Sequence, residues 1–251
     1  MMETKQPLVE LLGVHKWFGG VHALKGVDFH VRSGEIVGLI GDNGAGKSTL
    51  IKILAGVHTL DRGKILFEGQ EVHIRSPRDA KALGIETVYQ ELALVDNLDV
   101  AANIFLGREP ARIGGRSWLA ILHRRRMEEE SRALLSRLRV DVGPIESRVG
   151  ELSGGQRQAV AISRALYTEP KLVIMDEPTA ALAVQEVRKV LDLIKGLKER
   201  NIAVVFISHT LQEVFSVADR IVVLRKGEKV GDFPTPELTI DEAVKLMVGG
   251  E

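Results

Sequence analysis

Cysteine is absent from the 251 residues, which excludes disulfides and thiolate-ligated metals and fits a reducing compartment. Aromatic residues amount to 4%, too few for the stacking surface that single-stranded nucleic acid needs. Neither sign of charge is in excess: 34 Lys and Arg stand against 34 Asp and Glu, so no global positive field attracts a polyanion. No apolar run approaches the roughly 18 residues of a membrane span. The opening MMETKQPLVE lacks the basic, apolar and small-residue blocks of a signal peptide, so any membrane partner is a separate chain. What remains, 45% hydrophobic and 27% charged residues, is the balance of a globular protein with a large core.

Short β-branched runs recur at 35–41 (EIVGLIG), 86–90 (ETVYQ), 171–177 (KLVIMDE), 202–209 (IAVVFISH) and 220–227 (RIVVLRKG). Near-continuous apolar strands of this kind are buried on both faces, as in parallel sheets. Helical patterns at 47–55, 184–199 and 210–217 separate several of them, which predicts an α/β architecture. From Glu91 to Tyr167 the text turns helical with no convincing strand, so an all-helical insertion at 91–167 divides a core of 1–90 and 168–251. Within it, Arg108 to Arg139 hold nine Arg against four Glu, readable as a basic patch or as a solvated helix face.

GDNGAGKST at 41–49 carries the first chemistry. Gly41, Gly46, Lys47 and Ser48 fill G-x-x-x-x-G-K-[ST], between a strand and the amphipathic STLIKILAG, the context this motif requires. Backbone N–H groups of the loop, with Asn43, Gly44, Ala45 and Thr49, wrap phosphates; Lys47 reaches the β- and γ-phosphates and the Ser48 hydroxyl ligates Mg²⁺. The dinucleotide pattern G-x-G-x-x-G is not matched. KLVIMDEP ends a strand on Asp176 and Glu177, at the carboxyl edge where parallel sheets bind ligands. Asp176 suits the Mg²⁺ shell and Glu177 the polarisation of an attacking water. His209 closes the next strand at the corresponding edge, within reach of a γ-phosphate. The other six histidines show no metal-ligand spacing. Gln90, leaving ETVYQ, draws its value from position alone.

ELSGGQRQAVAISRAL at 151–166 holds a capping box, Ser153 with Gln156, at a helix start. The box leaves Gly154 and Gly155 unexplained, because each glycine in a first turn costs up to about 1 kcal/mol relative to alanine. Bare N–H groups there attract an anion, yet no second lysine or metal acid lies nearby. The stretch reads as half of a phosphate site.

GDNGAGKST, Gln90, LSGGQ, LVIMDE and His209 occur in the order and spacing of an ATP-binding cassette (ABC) transporter ATPase subunit, a resemblance that covers almost the whole chain. It implies a P-loop NTPase core with a mostly parallel sheet, an N-terminal antiparallel β portion and the inserted all-helical subdomain. It further implies ATP and Mg²⁺ as cofactors and a head-to-tail homodimer with two ATP between one partner's phosphate loop and the other's Ser153, Gly154, Gly155 and Gln156. Phe18 in HKWFGGVHAL then stacks on adenine, with the neighbouring Trp17 as an open choice. Gln90 links Mg²⁺ to the cleft where an integral membrane permease docks, at the cytoplasmic face of the membrane. GIETVYQELALVDNLDVAANIFLGRE at 84–109 is similar to ATPases of monosaccharide importers, which implies an extracytoplasmic sugar-binding protein as an indirect partner and no nucleic acid. The chain resembles the single-cassette members or one half of a fused pair. Ala183 stands where the family usually has Asp, which bears on coupling between the two ATP sites. The rival reading is a non-transport ABC ATPase acting on nucleic acid or the ribosome through the arginines.

Overall fold

The computed structural model describes residues 6–112 and 121–249. The leader reading at residues 1–5, Arg116 and the side chain of Arg112 lie outside the described residues. In chain order, β1 (Val9–Phe18) and β2 (Val21–Val31) form a hairpin, β3 (Ile36–Gly41) runs into the phosphate loop and α1 (Lys47–Leu54), and β4 (Arg62–Phe67), β5 (Gln70–Val72), α2 (Pro77–Ala82) and β6 (Ile85–Val88) follow. The insertion comprises α3 (Val100–Phe105), β7 (Ala111–Arg112), β8 (Ile121–Leu122), α4 (Arg124–Leu138) and α5 (Gly154–Leu166). The chain returns through β9 (Leu172–Asp176), α6 (Val184–Glu199), β10 (Ala203–Ile207), α7 (Leu211–Val217), β11 (Arg220–Arg225), β12 (Glu228–Pro234) and α8 (Ile240–Val248).

Six strands in the order β12-β11-β3-β10-β9-β6 make the large sheet, parallel except for the edge strand β12. Period-two alternation sends Ile36, Ile40, Val173, Met175, Val204 and Phe206 into one hydrophobic core. Their neighbours Val37, Leu39, Leu172, Ile174, Val205 and Ile207 enter a second core, under the antiparallel sheet β2-β1-β4-β5. Because both faces are covered, both sets must be apolar, which is why these strands read as unbroken apolar runs.

Arg220 joins the layers. Its guanidinium donates to Glu35 (2.7 Å), Asp232 (2.6 Å) and the His30 carbonyl (2.6 Å), linking β11 to β12, to the entrance of β3 and to β2. Burial draws the Arg220 pKa down, but the two carboxylates outweigh it and leave the group raised.

One expectation needs correction. The insertion is not all-helical: Ala111–Arg112 pairs antiparallel with Ile121–Leu122, a contact of two residues per strand, too short to show any period. On α4 the basic run is an ion-pair ladder, with Arg124, Arg125 and Arg126 bonded to Glu128, Glu129 and Glu130 one turn on. Arg132 pairs with Glu146 and Arg137 with Glu169, so the solvated-face reading describes these five arginines.

Candidate nucleotide-phosphate site

The carboxyl edge of the large sheet collects the predicted residues. Ile207 lies opposite Asp176 in the β9–β10 ladder, and β3 on the other side of β10 delivers Gly41 to the same edge. Gly41 has φ 153°, and a Cβ there would lie 2.3 Å from the Leu224 carbonyl, so the loop leaves the sheet in contact with β11. Gly46, at φ 106°, starts α1, where a Cβ would fall 2.8 Å from Leu24. These two approaches require glycine and fix the path of the loop between β3 and α1.

Lys47 is 8% exposed, and its ammonium donates to the carbonyls of Gly41 (2.7 Å) and Asp42 (3.1 Å). Burial lowers its pKa, opposed by Glu177, Asp42 and Asp176. Ser48 is exposed at the start of α1. Asp176 has a raised pKa, first through burial and then through the adjacent Glu177, with Lys52, Lys47 and His209 acting in opposition. Glu177 sits at φ 52°, an uncommon conformation for a non-glycine residue, and its N–H donates to the Ile207 carbonyl (2.9 Å). That turn brings its carboxylate 2.6 Å from His209 Nε2.

These groups line a cleft of about 590 Å³ with Asn43, Gly44, Ala45, Gly46, Lys47, Ser48, Thr49, Asp176, Glu177 and His209 in its walls. Val21, His22 and Ala23 of β2, Ile207 of β10 and Lys226 of the β11–β12 turn complete it, and none of these five had a role from sequence alone. They arrive by tertiary packing: the Gly227 N–H donates to the Ala45 carbonyl and the Lys25 N–H to the Gly227 carbonyl, fastening that turn beneath the phosphate loop. The cleft pairs a cation and a helix N-terminus with two acids and a histidine, an arrangement suited to gripping a polyphosphate and activating water beside it. A magnesium ion fits the donors present: Ser48 and Asp176 offer hard oxygens, and among the described residues no group of three or more His, Cys, Asp or Glu forms a closed metal cage. Mg²⁺ is commonly held by such a pair together with water and phosphate.

Gln90 and Phe18, with its alternative Trp17, stand apart from the cleft walls. Gln90 is exposed beyond the end of β6. Phe18 is 41% exposed, edge-on to His58 at 5.0 Å and with the Lys16 ammonium 5.5 Å over its ring, whereas Trp17 is stacked on His22 at 4.1 Å with Arg62 5.5 Å over its ring. Phe18 is the more exposed of the two rings.

The LSGGQ stretch forms the expected capping box: Ser153 Oγ accepts from the Gln156 N–H (3.3 Å) and Gln156 Oε1 from the Ser153 N–H (3.0 Å). It borders a different cleft, of about 580 Å³ between α4, α5 and α6, which shares no lining residue with the first. The close approach that the glycines permit is made within the chain by Glu186: a Cβ on Gly155 would lie 2.8 Å from its Cβ and Cγ. The polar groups of Ser153 and Gly155 beside its carboxylate, with the Ala183 N–H, hold its pKa below the ordinary range. Ala183, before α6, has no side chain to cap that helix, and its N–H donates to Glu186 at 3.3 Å.

Residues 24–180 match the family described as ABC transporter. The chain is 48% identical over 240 residues to the xylose/arabinose import ATP-binding protein of Sulfolobus acidocaldarius, covering 96% of this chain and 93% of the relative. It is 46% identical to a ribose import ATP-binding protein of Streptomyces avermitilis, spanning 99% of this chain but only 46% of that longer protein. The dimeric structure of an ATP-binding cassette in a post-hydrolysis state, bound to ADP and Pi, is similar with a TM-score of 0.74 and 25% identity, covering 90% of this chain and 98% of that one. With a phosphate-loop sequence at the sheet-edge cleft, an LSGGQ helix bordering a separate one, and these likenesses over nearly its full length, the chain belongs to the ABC transporter family.

Proposed function

We propose that the chain is the ATP-hydrolysing subunit of an importer for a monosaccharide, and that two copies close head to tail over two ATP molecules. The observation that carries this reading is the separation of the half-sites: Lys47 and Ser153 belong to clefts with no residue in common. A two-fold pairing of identical chains completes both sites at once. Lys47, the loop N–H groups and the α1 N-terminus hold the β- and γ-phosphates, Ser48 and Asp176 hold Mg²⁺, and the partner's Ser153, Gly154, Gly155 and Gln156 receive the γ-phosphate. Bound Mg²⁺ supplies neutralisation of phosphate charge. Glu177 takes the proton of the attacking water, and His209, bonded to Glu177, steadies that carboxylate beside the γ-phosphate.

Phe18 stacks on the adenine, its exposed ring being the supporting observation. A core of 1–90 and 168–251 carries the nucleotide, and the signature subdomain of 91–167 passes its movement to an integral permease at the cytoplasmic face of the membrane, with Gln90 at the junction. An extracytoplasmic sugar-binding protein sets the cargo. Both relatives named above are sugar import proteins, and none of the described helices is long and apolar enough to cross a membrane, which agrees with a separate permease. The nucleic-acid alternative loses its support where five arginines are neutralised by acids.

Glu177→Gln tests the reading. Removing the base should slow phosphate release by roughly 10²- to 10⁴-fold while MgATP converts the variant from monomer to dimer in size-exclusion chromatography with light scattering. A variant that binds ATP and stays monomeric refutes the shared site. Stimulation of the wild-type ATPase in permease-containing proteoliposomes by a receptor loaded with xylose, ribose or fructose tests the cargo, and no response to any of them refutes it.

A further inference from the structure

Beyond the end of the β9–β10 ladder, Glu177 and His209 lie in irregular backbone, one of them at φ 52°. Ala181 follows at φ 61°, so the segment after β9 contains two unfavourable conformations that its surroundings must impose. One carboxylate connects the two segments. Glu213 Oε2 on α7 accepts from Thr179 Oγ1 (2.5 Å) and from Ser208 Oγ (2.8 Å). Thr179 stands two residues after Glu177, and Ser208 immediately before His209. Both hydroxyl residues are nearly inaccessible, at 7% and 8% exposure, and hydroxyl bonds to an ionised acceptor are the strong ones.

The local sequence makes this arrangement informative. Thr210 is the residue before α7 and Glu213 is the third residue of the helix, the spacing of a capping box. The box does not form: the Thr210 side chain makes no capping bond, and the Thr210 N–H donates to Ser208 Oγ (3.1 Å). Glu213 turns away from its own helix end toward two other segments. A residue that forgoes the nearest favourable contact for a cross-chain one marks a place where local preference has yielded to another requirement.

We propose that Glu213 is the positioning residue of the hydrolytic pair, fixing the spacing between Glu177 and His209 through Thr179 and Ser208. It touches neither reacting atom; it sets where the base stands. This rests on the ATPase reading above. The phosphate loop is carried by β3 and α1, outside the Glu213 network, so nucleotide affinity is independent of it.

The test is a steady-state comparison of MgATP hydrolysis. Glu213→Ala should lower kcat by about a hundredfold, the cost of misplacing a reacting group by about an ångström, with KM within about twofold of wild type. Glu213→Gln keeps an oxygen that accepts both hydroxyl protons and should restore kcat to within severalfold. The double variant Thr179→Val, Ser208→Ala removes the same ties without touching Glu213 and should match Glu213→Ala, and combining all three changes should add little further loss. If Glu213→Ala proves too unstable to purify, the Thr179→Val, Ser208→Ala protein decides the question alone. A kcat within twofold of wild type in either folded variant overturns the inference, as does a Glu213→Gln enzyme no better than Glu213→Ala. Wild-type protein that releases no phosphate from MgATP refutes the ATPase reading instead, a result distinct from an active wild type with an equally active Glu213→Ala.

Discussion

Replacing Phe18 by alanine isolates the contribution of the base from that of the phosphates. Phe18 is 41% exposed, and a phenylalanine carries about 200 Å² of coverable surface, so about 80 Å² remains for a ligand. At about 25 cal/mol per Å², full coverage by a stacked purine is worth about 2 kcal/mol and partial coverage about 1, within the range measured for base–aromatic stacking. Phe18→Ala should therefore weaken ATP binding about five- to thirtyfold and leave kcat at saturating ATP unchanged, since no reacting atom is involved. Titration calorimetry in the Glu177→Gln background measures the affinity without turnover. GTP should lose affinity by a similar factor, because stacking does not read the base edges. Trp17→Ala separates the alternatives: its ring already packs against His22 and Arg62, so its loss should lower Tm more than nucleotide affinity. A Phe18→Ala protein within twofold of wild-type affinity beside a tenfold loss in Trp17→Ala would transfer the stacking role to Trp17 and refute the reasoning from exposure.

Arg220→Ala leaves the half-buried Glu35 and Asp232 with only Arg32 and Lys229 as cations, a change that costs up to about 3–5 kcal/mol, the range for breaking a buried pair. Scanning calorimetry should show Tm lower by about 6–20 °C, and a fall under about 3 °C contradicts the clamp. Asp232 shows burial acting upward but Arg220 and Lys229 prevailing, for a lowered pKa. Its contribution to stability is therefore full above its unfolded pKa and is lost as pH falls through the lower folded value; Asp232→Asn should flatten the acid limb of stability against pH. Asp176 has the opposite sign: its raised pKa means that the folded chain holds that proton more tightly than the unfolded one, so the ionised carboxylate reduces stability at neutral pH. Asp176→Asn should raise Tm at pH 7 without added nucleotide while abolishing Mg²⁺-dependent hydrolysis, and a lowered Tm counts against that sign.

The parallel strands were legible because burial on both faces demands continuous apolar text, and β3, β9, β10 and β11 each lie inside the segment expected for them. The phosphate loop was legible because its requirements are local: a φ of 153° at Gly41 and of 106° at Gly46 must be met within one stretch of chain. What escaped depends on segments meeting across the fold. Lys226, His22 and Val21 enter the cleft because Gly227 bonds both to Lys25 and to the loop, and Thr179, Ser208 and Glu213 have no shared spacing by which a pattern could join them. The β7–β8 pair, two residues long on each side, offers no periodicity at all.

The LSGGQ stretch shows how a correct local reading can be incomplete. Glycines at a helix start were read as room for an anion to approach, and an anion does approach: the Glu186 side chain, packed against Gly155. The half-site assigned to a partner's γ-phosphate thus holds a negative group of the same chain. Two anions repel at one helix start, so in the proposed dimer closure over ATP should drive Glu186 toward Ala183, whose N–H it already accepts from. Glu186→Gln keeps the shape and removes the charge. In the Glu177→Gln background it should shift the MgATP concentration for half-maximal dimerisation downward, and the difference should shrink as salt is raised, because exposed charges are screened. An unchanged midpoint at low salt would mean that the partner's phosphate never competes for those donors, and the site would then have to be completed elsewhere on the signature helix.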